Sequence, residues 1–185
     1  MTGADPDTFE AFVRRHQGLV FTAAVRLLGS TTEAEDVAQT VFLRAFQRFA
    51  EIGDSPTAAA WLRTVTRNVC LNHLSRYRSR WRFFSELPAA DRSQDDRAGD
   101  SASEFASPAS LAETIEQADL QRHLEDALRE LPARQRVPLV LFHLEDMSYQ
   151  EVADALGVSL AKVKTDIHRG REALRKRLKS NAVLR

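Results

Sequence analysis

Residues 147–174 read MSYQEVADALGVSLAKVKTDIHRGREAL, and their pattern decides the fold of the C-terminal half of the chain. Ser148 and Glu151 have the spacing of a capping box, which predicts that a helix begins there. Gly157 can adopt the positive φ angle of a tight turn, and Ser159 can cap a second helix. The stretch therefore predicts a short helix, a tight turn and a longer helix, which together form a helix-turn-helix.

The spacing of small and apolar residues in this stretch is typical of DNA-binding helix-turn-helix units. Ala153 is small where the two helices would cross, Gly157 follows four residues later, and Val163 follows six residues after that. The apolar contacts between the helices are predicted to come from Val152, Leu156, Val158, Val163 and Ile167. An αα-hairpin with a solvated basic face remains an alternative interpretation.

The second helix is polar and basic on the side opposite Val163 and Ile167. That face carries, at positions i, i+1, i+4 and i+5, Lys164, Thr165, His168 and Arg169. In a recognition helix, apolar residues dock the helix and polar residues near its N-terminus reach base edges in the major groove. Arg and Lys can read guanine, and Thr can contact a thymine methyl group. The residues predicted to contact duplex DNA are Ser159, Lys162, Lys164, Thr165, His168, Arg169 and Arg171.

Charge is balanced overall but unevenly distributed along the chain. The sequence has 26 basic and 26 acidic residues, so its formal net charge is zero. Residues 61–82 contain six Arg and no acid, and residues 159–185 contain nine Lys or Arg and two acids. Between these segments, residues 85–117 contain eight acids and two Arg. Two basic segments flanking an acidic one indicate a polyanionic partner more strongly than the total charge does.

The N-terminal part has the apolar periodicity of three helices. Gly29 is predicted to end the first helix, and the capping box Thr32–Glu35 to start the second. Ser55 and Pro56 have the residue types of an N-cap and a first helical position, and the third helix is predicted to run to about Tyr77. The predicted apolar stripe of the second helix comprises Ala38, Val41, Phe42, Ala45, Phe46 and Phe49.

The predicted fold class is all-α, with two small helical domains at residues 8–82 and 113–180. Residues 83–112 are predicted to be a flexible acidic linker, because they are rich in Ser, Ala and Asp and poor in large apolar side chains. Helix is expected to resume near Leu111. Its predicted apolar stripe comprises Leu120, Leu124, Ala127, Leu128 and Leu131.

Several classes of protein are disfavoured by the sequence. The N-terminus lacks the pattern of a signal peptide, and no apolar run reaches the roughly 18 residues of a membrane span, so a cytoplasmic location without membrane insertion is expected. The single cysteine, Cys70, excludes an internal disulfide bond. Cys70 and His73 are too few ligands for a metal site. No catalytic motif was found, so we expect no enzymatic activity, no cofactor and no metal.

Two stretches resemble the domains of bacterial sigma factors. TEAEDVAQTVFLRAFQRF, followed by AAWLRTVTRNVCLNHLSRYRSR, resembles the domain that reads the promoter −10 element. LPARQRVPLVLFHLEDMSYQEVADALGVSLAKVKTDIHRGREALRKRL resembles the domain that reads the −35 element. The family's Leu-Pro-x-x-x-Arg pattern is present as Leu131, Pro132 and Arg136, and Glu145 precedes the helix-turn-helix. The presence, order and size of the two domains resemble the extracytoplasmic-function group, the smallest sigma factors.

The resemblance implies that the helix beginning at Thr32 grips the coiled coil of the largest subunit of core RNA polymerase. The residues implied in that contact are Asp36, Gln39, Thr40, Leu43 and Gln47. The family usually has Gln-Glu where this chain has Gln39 and Thr40. The resemblance also implies an alternative, stress- or signal-responsive sigma factor that is controlled by an anti-sigma factor.

The resemblance further implies that residues 51–57 and the third helix capture bases of the unwound −10 strand. Asn68 and Asn72 can offer both donors and acceptors to a base edge, and many relatives carry Asp at the second of these positions. The cations implied to hold the strand's backbone are Arg63, Arg67, Arg76, Arg78 and Arg80. The implied partners are therefore core RNA polymerase and promoter DNA, as duplex at −35 and as an unwound strand at −10.

Two other functions remain open from the residues themselves. A conventional helix-turn-helix transcriptional regulator would carry a sensory or dimerisation domain in residues 8–80, and would not need an Arg-rich helix with Asn68 and Asn72. A protein-interaction module with a basic surface would leave the spacing around Gly157 unexplained.

Overall fold

A computed structural model describes the backbone of residues 6–76 and 111–183 and the side chains of residues 7–75 and 120–179. These residues contain helices and no strand, which confirms the all-α prediction for the described chain. The helices are α1 (Pro6–Leu28), α2 (Thr31–Gln47), α3 (Phe49–Ile52), α4 (Ala58–Arg76), α5 (Leu111–Arg129), α6 (Ala133–His143), α7 (Tyr149–Leu156) and α8 (Leu160–Val183). Residues 83–110 of the predicted linker lie outside the described residues, as do Arg78 and Arg80.

The first helical group comprises α1 to α4, and in it α1 packs against α2 and α4. Gly29 ends α1 with φ +73°, as the sequence predicted. The predicted capping box at Thr32–Glu35 is wrong, because α2 begins at Thr31 and its N-cap is Ser30. Extended backbone at Ser30 lets its hydroxyl accept a hydrogen bond from the Glu33 N–H at 3.3 Å.

The prediction for the start of α4 is also wrong, by about two residues. The Ser55 hydroxyl accepts a hydrogen bond from the Thr57 N–H at 3.2 Å, and the Ala58 N–H donates to the Ser55 carbonyl at 3.0 Å. Ser55 and Pro56 therefore belong to a turn, because the serine side chain bonds to backbone two residues ahead instead of capping a helix. The sequence did not predict the short helix α3, which precedes this turn.

The second helical group comprises α5 to α8 and contains the helix-turn-helix, as predicted. Ser148 and Glu151 form a complete capping box at the start of α7, and Gly157 has φ +60°. The Ser159 hydroxyl accepts from the Lys162 N–H at 3.3 Å, at the start of α8. Val163 and Ile167 are each 1% exposed and hold α8 in the core.

The two helical groups pack on each other through α1, which contacts both α5 and α6. Buried residues of both groups form one continuous apolar core. Leu128 and Leu131 lie in that core as predicted, whereas Leu120 is 64% exposed, contrary to the predicted stripe. Leu124 is the first α5 residue packed against the core among those with described side chains, so Leu120 precedes the packed part of the helix.

No helix within residues 6–76 and 111–183 is long and apolar enough to cross a membrane.

Candidate functional site

One face of α2 presents a polar row that is interrupted by an apolar side chain. Asp36, Gln39 and Gln47 are exposed, and Leu43 within the same row is 66% exposed. Thr40 is half-buried, and its hydroxyl donates a hydrogen bond to the Asp36 carbonyl at 3.0 Å. The hydroxyl of Thr40 is thus occupied by its own helix, while the other four side chains can reach a partner.

Phe46 adds a second exposed apolar group to this surface. The sequence predicted that Phe46 would be buried in the apolar stripe, but it is 50% exposed, and its ring meets that of Phe9 edge-on at 5.0 Å between centroids. The buried residues of α2 are Val41 and Ala45, as predicted, together with Ala34 and Val37, which the predicted stripe omitted. Leu43 and Phe46 lie three residues apart, so they are neighbours on the helix surface.

The described part of α4 separates a buried face from a polar face. Leu62 and Cys70 are fully buried, as is Thr66, whose hydroxyl donates to the Leu62 carbonyl at 2.7 Å. Outside this buried face lie Arg63, Arg67, Asn68 and Asn72, of which Arg67 is half-buried and the others are exposed. The four described members of the predicted −10 set share α4 but not one face, because Arg63 and Asn72 project from opposite sides of the helix. The side chain of Arg76 lies outside the described residues.

Burial raises the pKa of the Cys70 thiol to about 12, with a further contribution from Glu145. Among the residues that the structure describes, no group of three or more His, Cys, Asp or Glu could hold a metal ion.

A cavity of about 360 Å³ lies between α1 and the turn that precedes α4. It is lined by Arg15 and His16 from α1 and by Asp54 and Ser55 from the turn, among others. Partial burial, together with the charge of Arg15, holds the pKa of His16 below its ordinary value. Sequence reasoning did not assign Arg15 to any site, because the chain gives no local signal that α1 borders residues 53–59.

The N-terminal half of α8 presents the predicted polar face to solvent. Lys164, Thr165, His168 and Arg169 are all exposed. The Thr165 hydroxyl donates a hydrogen bond to the Ala161 carbonyl at 3.0 Å. Lys162 is exposed as well, and its ammonium group lies 2.8 Å from a carboxylate oxygen of Asp166.

Arg171 belongs to a different surface from the other members of the predicted −35 set. Its Nε donates a hydrogen bond to Nε2 of His143 at 2.8 Å, and its guanidinium carbon lies 5.6 Å from the centre of the Phe142 ring. Partial burial, with a smaller effect of the Arg171 charge, holds the pKa of His143 below its ordinary value. The structure therefore places Arg171 against α6 and not on the exposed face of α8.

Two families match separate parts of the chain. The family described as Sigma-70 region 2 matches residues 12–81, and Sigma-70, region 4 matches residues 121–174. The first match contains α2 and α4, and the second contains the helix-turn-helix.

Whole-length relatives agree with these two matches. The chain is 33% identical over 175 residues to the RNA polymerase sigma-E factor of Streptomyces avermitilis, across 93% of this chain and 86% of that protein. It is 30% identical over 184 residues to the ECF RNA polymerase sigma factor SigL of Mycobacterium tuberculosis, across 98% of this chain and 95% of that protein.

Among solved structures, the complex of the sigma factor RpoE with the anti-sigma factor NepR from Bartonella quintana matches with a TM-score of 0.46. The identity is 23%, and the match covers 92% of this chain and 96% of that one. The extent and identity of the sequence relatives are sufficient to assign the family. The chain belongs to the extracytoplasmic-function (ECF) family of RNA polymerase sigma factors.

Proposed function

We propose that this sigma factor binds core RNA polymerase through the exposed face of α2 and promoter DNA through α4 and α8. As an ECF sigma factor, the chain acts in promoter-directed initiation of transcription. The observation that carries the polymerase assignment is the exposure of Leu43 and Phe46 beside Asp36, Gln39 and Gln47. An apolar centre with a polar rim has the composition of a protein-binding surface, and an isolated DNA-binding regulator would have no need of it at this position.

The −10 element is proposed to bind along α4 as an unwound strand. Asn68 and Asn72 are four residues apart on the exposed face, so their amides can face successive bases. Arg67 adjoins Asn68 in the chain and Arg63 lies one turn before Arg67, so both can hold backbone phosphates along the flank of α4. The cavity bordered by Arg15 and Ser55 is close to the turn before α4 and is large enough to accept an unstacked base.

The −35 element is proposed to bind as duplex DNA, with α8 in the major groove. Lys164, Thr165, His168 and Arg169 are directed to solvent from the first turns of the helix, where base contacts are made in such units. Arg175 and Lys179 are exposed further along α8, and are suited to phosphate contacts. Arg171 is assigned instead to holding α8 against α6.

The remaining assignments follow from the ECF group. We expect an anti-sigma factor to control the protein by covering its polymerase- and DNA-binding surfaces. We expect the chain to act in the cytoplasm. We expect it to bind polymerase and promoter, while the polymerase catalyses RNA synthesis. The domains are proposed to be residues 8–82 and 113–180.

The test of this function is co-elution of the purified chain with core RNA polymerase that lacks any sigma factor. Leu43→Ala and Phe46→Ala should each weaken binding by about tenfold or more, the effect of losing about 1.4 kcal/mol at an interface anchor. Leu120→Ala is the matched control, because Leu120 is 64% exposed, close to the 66% of Leu43, but lies on α5. Equal effects of all three substitutions would reject the α2 surface.

The conventional regulator makes the opposite prediction. If the chain were such a regulator, it would not bind core polymerase, and the isolated chain would bind duplex DNA tightly and with sequence specificity. These two results together would reject the roles proposed for α2, α4 and α8.

A further inference from the structure

Side chains from three helices form one stack beside the proposed DNA-reading face of α8. The guanidinium carbon of Arg171 on α8 lies over the Phe142 ring of α6, 5.6 Å from its centre. The Phe142 ring in turn stacks on Tyr149, with 4.3 Å between ring centres and 23° between ring planes. Tyr149 is the first residue of α7. Because a cation is attracted to the face of an aromatic ring, these contacts tie α8 to α6 and, through α6, to the start of α7.

A hydrogen bond holds the same guanidinium from a second direction. Nε of Arg171 donates to Nε2 of His143 at 2.8 Å, and the His143 ring meets the Phe142 ring edge-on at 4.8 Å between centres. A planar group that is both stacked on a ring and hydrogen-bonded through its Nε has a defined orientation. Lysine could not replace it, because an ammonium group is not planar and has no fixed donor direction.

The backbone of α8 lies close to α6 at the neighbouring residue. Gly170 is buried, and a Cβ atom there would lie 3.2 Å from the Gln135 carbonyl oxygen and 3.3 Å from Cδ1 of Leu139. Both distances are shorter than an ordinary van der Waals contact, so the glycine lets the two helices approach. The helix α8 therefore rests directly on α6 at Gly170, and Arg171, the next residue, is half-buried at the edge of this contact.

The position of Arg171 suits it to fixing the rotation of α8 about its own axis. Lys164, His168 and Arg171 follow one another at i, i+4 and i+7, so they form one stripe along the helix. A rotation of about 20° would displace an atom roughly 6 Å from the helix axis by about 2 Å. Hydrogen-bond lengths span only about 0.5 Å, so such a rotation would take a side chain out of reach of its base. A contact that holds the end of the stripe therefore determines where its beginning points.

We propose that Arg171 is a positioning residue for −35 recognition, which acts through Phe142 and His143 and does not itself contact DNA. The inference rests on the proposed role of α8 in the major groove. By fixing the rotation of α8, the stack and the hydrogen bond direct Lys164, His168 and the polar side chains beside them toward base edges. Arg171 therefore contributes to discrimination among sequences, and not to the attraction of phosphates.

The experiment measures how the full-length chain, bound to core RNA polymerase, binds two duplex probes. One is the duplex that the wild-type complex selects from a library randomised over about 10 base pairs, roughly one helical turn. The other is the same duplex with the selected bases scrambled. The ratio of the two affinities measures discrimination, and the dependence of each affinity on salt concentration measures the number of phosphate contacts.

Two reference variants establish whether α8 reads the selected bases. Lys164→Ala and Arg169→Ala remove exposed side chains of the proposed reading face, and at least one of them should lower discrimination by about tenfold, the size of one good base contact. If neither does, the proposed role of α8 is rejected, and the inference fails with it. If either does, the variants at Arg171 test the inference by itself.

Arg171→Lys is the central variant, because it keeps the positive charge and removes the planar stack and the Nε donor. Discrimination should fall by about tenfold, the effect of misplacing one good base contact, while the salt dependence should stay unchanged. Arg177→Lys is the matched control on the same helix. Nε of Arg177 donates to Glu130 at 3.2 Å, also within the second helical group, so the control loses an equivalent bond away from Phe142. It should bind both probes as the wild-type chain does.

Substitutions on α6 and α7 test whether Arg171 acts through the stack. Phe142→Leu removes the ring and keeps apolar volume, and it should lower discrimination by the same factor as Arg171→Lys. The double variant Phe142→Leu/Arg171→Lys should lose no more than either single variant, because both remove one shared contact. Tyr149→Phe keeps the stacked ring and should keep discrimination. Circular dichroism at the temperature of the binding measurement confirms that each variant is folded.

Three results would overturn the positioning role. The first is unchanged discrimination in Arg171→Lys, and a salt slope shallower by about 0.9 in Arg171→Ala would then identify Arg171 as a phosphate contact. The second is a double variant in which the two losses multiply, which would identify a direct base contact of Arg171. The third is an equal loss in Arg177→Lys, which would show that any weakened contact of α8 lowers discrimination.

Discussion

Lys162 and Asp166 form an ion pair across one turn of α8, with 2.8 Å between the ammonium nitrogen and a carboxylate oxygen. Asp166 is 8% exposed and Lys162 is exposed, so the acid is held at the boundary between the core and the DNA-facing surface. One cation of the proposed −35 surface is therefore neutralised before any nucleic acid is bound.

Asp166→Asn should release Lys162 and strengthen binding to duplex DNA. A new phosphate contact should steepen the dependence of log affinity on log salt concentration by about 0.9 for duplex DNA. Titrations of −35 duplex DNA at several salt concentrations measure this slope. Glu172→Gln is the control, since it removes an exposed acid from the same helix. A carboxylate oxygen of Glu172 lies 3.6 Å from Nε2 of His168 and makes no contact with Lys162 that the structure shows. An unchanged slope for Asp166→Asn would show that Lys162 makes no phosphate contact.

Substitutions on α4 should separate base reading from backbone binding. Asn68→Ala should reduce discrimination among −10 strand bases while leaving the salt dependence unchanged, because an amide carries no charge. Arg63→Ala should weaken binding to all sequences and make the salt slope shallower by about 0.7, the value for one contact to a single strand. Oligonucleotide binding to the sigma–core complex measures both effects. If the two variants lose affinity and discrimination in the same way, the division of roles on α4 is wrong.

Gly29→Ala should destabilise the protein. Alanine in the left-handed conformation costs roughly 1–2 kcal/mol, and its Cβ would also displace the guanidinium of Arg136. Urea unfolding measures the change in the free energy of unfolding. Gly18→Ala is the control within α1, where a Cβ would meet no atom within 4 Å. That substitution should stabilise the protein by about 0.5–1 kcal/mol, as expected for glycine to alanine within a helix.

Stability should decrease as the pH falls below about 6.5, the ordinary pKa of histidine. Burial and Arg171 lower the pKa of folded His143, so the unfolded chain binds the proton first and the free energy of unfolding declines toward the lower, folded pKa. Protonation also removes the Nε2 acceptor that Arg171 uses. Urea unfolding between about pH 5 and pH 7.5 measures this slope.

His143→Gln should flatten that pH dependence, since the amide oxygen can still accept from Arg171 and does not titrate. A residual slope is expected from His16, whose pKa is also lowered. The same slope in the variant as in the wild-type chain would contradict the assignment to His143.

The helix-turn-helix could be predicted from the sequence because its signals are local. Ser148 and Glu151 are three residues apart and together form the capping box of α7. Gly157 forms the turn through its own conformational freedom. The apolar stripe predicted for α2 correctly included Val41 and Ala45 but misplaced Phe46, because hydrophobicity alone favoured its burial. Close packing buries the smaller Ala34 and Val37, which the stripe omitted, and leaves Phe46 half exposed.

The contact between the two helical groups could not be predicted from the sequence. Arg136 and Leu28 are separated by 108 positions, and the acceptor is a main-chain carbonyl that every residue type provides. The Leu-Pro-x-x-x-Arg pattern identified Arg136 as a residue of interest but gave no partner for it. Only the three-dimensional arrangement of α1, α5 and α6 shows where its hydrogen bonds go.

The environment of Cys70 has a consequence for the reactivity of its thiol. A thiol with a pKa of about 12 forms almost no thiolate at neutral pH, and this one is fully buried in α4. Peroxides and electrophiles react with thiolates, and Cys70 is the only cysteine in the chain. Burial therefore makes this thiol a poor nucleophile, and we expect it to react slowly with such agents while the chain is folded.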